Sequence, residues 1–267
     1  MSSRTARHGL RTIALGYLAI ILLVPLGLVF WRTFEHGFGP PWDAITSPAF
    51  THALWLTVLI TLIAVPANTV FGILMALAIV RYRFPGKGIA NAVVDLPLAL
   101  SPIVVGLSLL LLYGRLGWFG SWLEKHGIEI MFALPGMVLA TIFISLPFVV
   151  REVVPVLREI GIEQEQAAAT LGASGLQTFR RVTFPAIRWA VAYGVVLTTA
   201  RCLGEYGAVT VVSGRIVDKT ETLTLYVDAQ FEGFNIGAAY TASVVLALLS
   251  ISVLILMMVI RPKEAAG

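Results

Sequence analysis

Apolar positions along this chain fall in long unbroken runs, separated by short polar segments, rather than in alternation. Six runs reach the length of about 20 residues that a helical span needs to cross a bilayer core: Thr12 to Trp31, Ala53 to Val80, Ile89 to Tyr113, Ala133 to Val150, Trp189 to Val212 and Ala238 to Ile260. Stretches such as Leu107-Ser108-Leu109-Leu110-Leu111-Leu112 show no two-residue period, which argues against a transmembrane barrel. The pattern predicts an all-α polytopic membrane protein, a bundle of six transmembrane helices forming one domain over residues 1–267, without a soluble domain or a low-complexity linker. No internal repeat stands out, which counts against a secondary transporter built from inverted halves.

Composition agrees, with 58% hydrophobic residues, 13% charged residues and a mean hydropathy of +0.87. Arg4, Arg7 and Arg11 before the first run resemble the start of a signal peptide. The run is too long for one, however, and Trp31-Arg32-Thr33-Phe34 offers no small-residue cleavage site. The lone cysteine, Cys202, has no partner in the chain for a disulfide or a CxxC metal site. A net charge of +4 fits the positive-inside rule better than nucleic-acid binding. With the N-terminus in the cytoplasm, the inner segments hold Arg4, Arg7, Arg11, Arg81, Arg83, Lys87, Arg151, Arg158, Arg180, Arg181, Arg188, Arg261 and Lys263. The outer ones hold only Arg32, Arg115, Lys125, Arg215 and Lys219. Both termini are therefore expected inside. The outer loop from Gly214 to Ile236, with Asp218, Glu221, Asp228 and Glu232, reads as a solvated loop or a docking surface for an extracytoplasmic partner.

Prolines and polar groups interrupt several spans: Pro66 and Asn68 in the second, Pro97, Ser101 and Pro102 in the third, Pro147 in the fourth. A proline inside a helix removes a backbone hydrogen bond and invites a kink, tolerated in membranes where protein or a wet cavity satisfies the freed carbonyl. Kinked helices suit a path that opens, and ordinary packing irregularity gives the same pattern.

The polar segment from Glu163 to Pro185 is locally well specified. Ala167, Ala168 and Ala169 give a small-faced helix that can approach another surface closely, and Gly172 suits the left-handed turn that ends it. Ser174 with Gln177 fits a capping box that restarts helix. Arg180 and Arg181 near the end of that second short helix complement its dipole, and Pro185 introduces the fifth span. The order Gln166-Ala167-Ala168, three residues, Gly172, nine residues, then Val182, Phe184 and Pro185 resembles the cytoplasmic coupling signature of binding-protein-dependent ABC importer permeases. Gln166 stands at the usual glutamate position, with Glu165 just before it, and Phe184 at the usual leucine. Glutamine keeps length and hydrogen bonding but loses the charge.

In the fifth span, Arg201 is expected near mid-membrane with Glu205 one turn later on the same helix face. Ionised groups at that depth are costly, roughly 2.5 to 3.5 kcal/mol each on insertion scales, so both should face the bundle interior. They read as a polar pathway or gate, or as a structural ion pair. Asp95 reads as an interfacial or capping group. Asp95-Leu96-Pro97-Leu98-Ala99-Leu100-Ser101-Pro102, the run from Pro147 to Pro155, and Arg201 with Leu203-Gly204-Glu205-Tyr206-Gly207-Ala208 resemble the sulfate, molybdate and tungstate group of these permeases over nearly the whole chain. Gly175 to Tyr193 and Gly207 to Gly214 are most similar to permease subunits of sulfate/thiosulfate importers.

The resemblance implies a type I importer permease fold in a bacterial inner membrane. It further implies two ATP-binding cassette subunits, a second related permease and an extracytoplasmic sulfate-binding protein as partners. Glu165, Gln166, Ala167, Ala168, Gly172 and Pro185 would then couple to the ATPase, while Arg201, Glu205, Ser101 and Thr210 would belong to the anion path or its gate. No GxxxxGK[ST] loop occurs, so ATP and Mg are expected on the partner ATPase and no cofactor on this chain. A homodimeric molybdate or tungstate permease is the nearest alternative. An intramembrane enzyme lacks HExxH, GxSxG or any nucleophile and base pair, with His8, His36, His52 and His126 outside the expected spans. A passive channel gives no reason for the coupling segment.

Overall fold

The computed structural model describes residues 4–260, all helix and connecting turns, with no strand among the described residues. Arg261 and Lys263, assigned above to the cytoplasmic side, lie outside the described residues. The helices are α1 (Arg4–Phe34), α2 (Gly39–Thr46), α3 (Pro48–Arg81), α4 (Lys87–Ala99), α5 (Pro102–Tyr113), α6 (Gly120–Lys125) and α7 (Leu134–Ser145). They continue as α8 (Pro147–Glu159), α9 (Glu163–Thr170), α10 (Gly175–Thr178), α11 (Phe184–Leu203), α12 (Gly207–Val212), α13 (Leu223–Glu232) and α14 (Ile236–Ile260). Among the described residues, five helical stretches are long and apolar enough to cross a membrane: Gly9–Phe34, Pro48–Arg81, Leu134–Glu159, Gly175–Leu203 and Ile236–Met258.

The stretch expected to span over Ile89 to Tyr113, with an interruption at Pro97, Ser101 and Pro102, is a pair of helices, α4 and α5, bent by 113°, and gives a sixth span when the two are counted as one. Pro102 lacks an N–H and pushes the residue before it out of the α region. Ser101 is accordingly extended (φ −64, ψ 135), as is Leu100 (φ −89, ψ 145). Pro147 also starts a new helix, because Leu146 N bonds Phe143 O, three residues back, and the carbonyl of Ile142 is freed. The buried side chain of Asn68 on α3 donates to that carbonyl at 3.0 Å and to Ser145 Oγ at 2.8 Å. Pro66, by contrast, lies inside an uninterrupted α3.

The fifth span also departs from expectation. It begins at Gly175, because α10 runs into α11 through a five-residue π-helical turn, Phe179–Thr183, and it stops at Leu203 instead of continuing to Val212. The wide turn lies just before Pro185, whose missing N–H would break a regular α register. Arg180 and Arg181 therefore sit inside a continuous helix rather than at a helix end.

α3 organises the interior. Its Phe50 and Ala53 pack with Leu223 and Tyr226 of α13, and its Leu56 and Ile60 pack with Met137 of α7 and Val209 of α12. Its Ala76 packs with Val149 and Val153 of α8 and Ile187 of α11. With 34 residues at about 1.5 Å each, α3 is about 50 Å long, well beyond a bilayer core of about 30 Å. It thus joins the end of the bundle that carries α9 to the opposite end. Most apolar residues of α1 from Leu10 on, and many on α14, face outward.

The loop from Gly214 to Ile236 is not simply solvated. It contains α13, and Thr220, Glu221 and Thr222 ahead of that helix are buried. Burial and, secondarily, nearby Asp218 push the Glu221 carboxyl above the ordinary carboxylate range, with His52 opposing. His52 itself falls inside α3, not outside the spans.

Candidate functional site

Two regions hold the residues singled out from the sequence, one at each end of α3. At the first, α9 ends in a Schellman motif: Ala173 N donates to Ala168 O and Gly172 N to Ala169 O, each at 3.0 Å. Gly172 takes φ +83, which a side chain rarely adopts. Ser174 and Gln177 then form the expected capping box, with Ser174 N donating to Gln177 Oε1 at 2.8 Å. Gln166, Ala167, Gly172 and Pro185 are exposed and Ala168 half-buried. The two apolar side chains flanking the turn are bare, Leu171 at 89% and Leu176 at 67% exposure. Neither helix buries a single residue against the rest of the chain. A small-faced, apolar-tipped helical turn without its own core contacts is a surface suited to a groove on another protein.

Glu165 does not share that exposed face. Its carboxylate accepts two hydrogen bonds from Arg81, the last residue of α3, at 2.9 Å from Nε and 3.1 Å from Nη2, and a third from Thr183 Oγ1 at 2.9 Å. Arg81 Nη1 also donates to Leu157 O near the end of α8, at 2.9 Å. Asp95 makes a comparable link, between α4 and α8, pairing with Arg151 at 2.8 Å.

The second region is built around the two broken helices. Leu203 ends α11, and three residues later Gly207 starts α12. Gly207 sits where an added Cβ would come within 2.8 Å of Pro102, so the break before α12 lies against the break before α5. Arg201 and Glu205 do pair, Nη1 to Oε2 at 2.6 Å, in an ion contact outside hydrogen-bonding geometry. Arg201 lies in the last turn of α11 and Glu205 in the break that follows it, not mid-helix. Glu205 Oε1 accepts from Ala208 N at 2.9 Å and so caps the start of α12. Its backbone carbonyl, orphaned by the break, accepts from Thr224 Oγ1 on α13 at 2.7 Å. The Glu205 side chain is 2% exposed and that of Arg201 30%. Behind Glu205 lies a cavity of about 10 Å³ lined by residues including Thr57, Thr141, Cys202 and Thr222, room for about one water and too small for a tetrahedral oxyanion.

Ser101 is exposed with no side-chain capping bond. Thr210 Oγ1 accepts from Arg215 Nε at 2.8 Å. Arg215 also donates to Tyr206 Oη at 3.0 Å and contacts Asp228 at 3.0 Å, and the Tyr206 hydroxyl donates to Asp228 at 2.8 Å. None of Arg81, Thr183, Thr224, Tyr206 and Asp228 is marked individually by the sequence: Arg81 reads as a positive charge ending an apolar run, Thr183 lies within the Glu163 to Pro185 segment, Tyr206 within the Arg201 to Ala208 stretch, and Asp228 among the acidic residues of the outer loop. Among the described residues no cluster of three or more His, Cys, Asp or Glu is placed to hold a metal.

Broken spans around a buried acidic cap, with an outward-facing helical turn at one end, define a polytopic permease with the type I ABC importer fold. The chain belongs to the family of binding-protein-dependent transport system inner membrane components, whose profile matches residues 68–265, and is a multi-pass membrane protein. It is 49% identical over 257 residues to the sulfate transport system permease protein CysW of Synechocystis, covering 96% of this chain and 93% of that one. It is 40% identical over 252 residues to CysT of Salmonella typhimurium, covering 92% and 91%. Among solved structures it superposes on a chain of the bacterial alginate ABC transporter, solved with an alginate-bound periplasmic protein. The TM-score is 0.78 at 16% identity, covering 94% of this chain and 91% of that chain, a likeness of fold.

Proposed function

We propose that this chain is a transmembrane permease subunit of an ATP-driven sulfate/thiosulfate importer, forming half of the anion pathway and coupling to a separate ATPase. The observation that carries this reading is the exposed α9–Gly172–α10 turn, which has no packing role within the chain, in a protein 49% identical to a sulfate permease. The turn lies on the cytoplasmic side with both termini, as the distribution of Arg and Lys supports. It seats in an ATP-binding cassette subunit that holds ATP and Mg. A second related permease completes the path, and an extracytoplasmic sulfate-binding protein delivers the anion at the opposite end.

A sulfate dianion in a low-dielectric passage carries a large desolvation cost. Contacts in the path are therefore weak, made by hydroxyls and backbone amides, with exposed Ser101 and half-exposed Arg201 and Thr210 as the residues offered by this chain. Glu205 serves the path indirectly, by holding Arg201 and capping α12. The test is radiolabelled sulfate uptake into vesicles holding this chain and its co-purifying partners. ATP-dependent uptake competed by thiosulfate is expected. Uptake of molybdate instead, by a complex with one permease type, would overturn the assignment.

A further inference from the structure

We propose that Arg81 and Glu165 form the joint through which movement of α9 reaches the spans, making Arg81 a positioning residue for the transport cycle; this rests on the importer reading above. Four separate elements meet at this one ion pair: the end of α3 through Arg81, the end of α8 through Leu157 O, α9 through Glu165, and the π-helical turn before α11 through Thr183. The pair is bidentate, so it fixes the angle of α9 as well as its distance, which a single point contact does not. It is also sheltered, with side chains 11% and 22% exposed, so salt screens it less than a surface pair.

What surrounds the pair makes it a joint rather than one contact among many. α9 buries no residue. Between it and the bundle lies a hollow of about 360 Å³, bordered by Leu77, Arg81, Glu165, Ala169 and Phe179. A helix that borders an open hollow and buries no residue passes force chiefly through its directional bonds. Arg81 also sits at two helix C-termini, ending α3 and donating to a late carbonyl of α8, where a cation is favoured by both dipoles. A shift of α9 therefore pulls on the ends of α3 and α8 together. α3 runs unbroken from that point to the opposite end of the bundle, and in that half its Thr57 hydroxyl accepts from Leu223 N at the start of α13 at 2.8 Å.

The test compares the wild-type complex with Arg81→Gln, Glu165→Gln, their double variant and Thr183→Val, measuring sulfate imported and ATP hydrolysed on the same vesicles. The reading is sulfate per ATP. Each single variant of the ion pair is expected to lower that ratio about tenfold, and the double variant no further, because both remove one link. Thr183→Val, which removes one hydroxyl without changing shape, is expected to lower it about threefold. An unchanged ratio in Glu165→Gln overturns the joint. If the ion-pair variants fail to assemble, Thr183→Val decides: a lowered ratio supports the joint, and uptake falling only in step with hydrolysis overturns it. Absence of ATP-driven sulfate uptake in the wild type overturns the importer reading, and the joint's transport role with it.

Discussion

The molecule has two arginine–glutamate pairs that matter, and they are built in opposite ways. Arg81 and Glu165 stand 84 positions apart and tie separate elements together, with three hydrogen bonds on the carboxylate and solvent within reach. Arg201 and Glu205 stand four apart and shape the chain's own break, with the carboxylate almost fully buried and one oxygen without a hydrogen bond. Losing the first pair leaves two groups that water can solvate. Losing Arg201 leaves that buried carboxylate without its counter-charge. A pair that joins elements can therefore transmit movement at modest cost to folding, while a pair inside a break is first a condition for the fold.

The sharpest way to break this contrast is Arg201→Met. An uncompensated buried carboxylate costs about 3–5 kcal/mol, so yield of folded chain in the membrane should collapse, with Glu205→Gln much milder because it keeps an acceptor for Ala208 N. Equal behaviour of the two variants would remove the distinction. Gly172→Val comes next. A branched side chain at φ +83 costs about 1–2 kcal/mol locally, and ATP-dependent uptake should vanish while membrane insertion, read by protease protection, stays intact.

Thr224→Val removes the hydroxyl that satisfies the Glu205 carbonyl and should lower thermal stability in detergent by about 1 kcal/mol. The smallest effect is expected at Glu221. Its folded carboxyl titrates above its unfolded value, so ionisation disfavours the folded state increasingly as pH rises past about 4.3. Glu221→Gln should raise the melting temperature at pH 7.5 and leave it unchanged at pH 4.

The sequence made some of this legible and not the rest, for physical reasons. The turn at Gly172 and the capping box at Ser174 are local, so spacing alone gave them. Proline chemistry flagged Ser101–Pro102, though not that the bend reaches 113°. The break before Gly207 has no proline. It is held by Glu205 reaching its own next helix and by Thr224 from 19 residues on, and a continuous apolar run hides it. The same run made Arg201 look central when it ends a helix. The pairings of Arg81 with Glu165, Thr183 with Glu165 and Asp228 with Arg215 depend on tertiary neighbours, and nothing at those positions announces which residue each meets.

The most direct test of the central claim introduces one exposed thiol into a chain whose single native cysteine, Cys202, is buried. A cysteine placed at Leu171, in the complex that imports sulfate, should be captured by a short thiol-to-amine cross-linker onto the co-purifying ATPase subunit. The same cysteine at Thr183, buried beside Glu165, should not. Cross-linking from Leu171 with none from Thr183 is the predicted result. No cross-link from Leu171 in a complex that still shows ATP-dependent uptake would contradict the assignment of this turn as the seat of the ATPase.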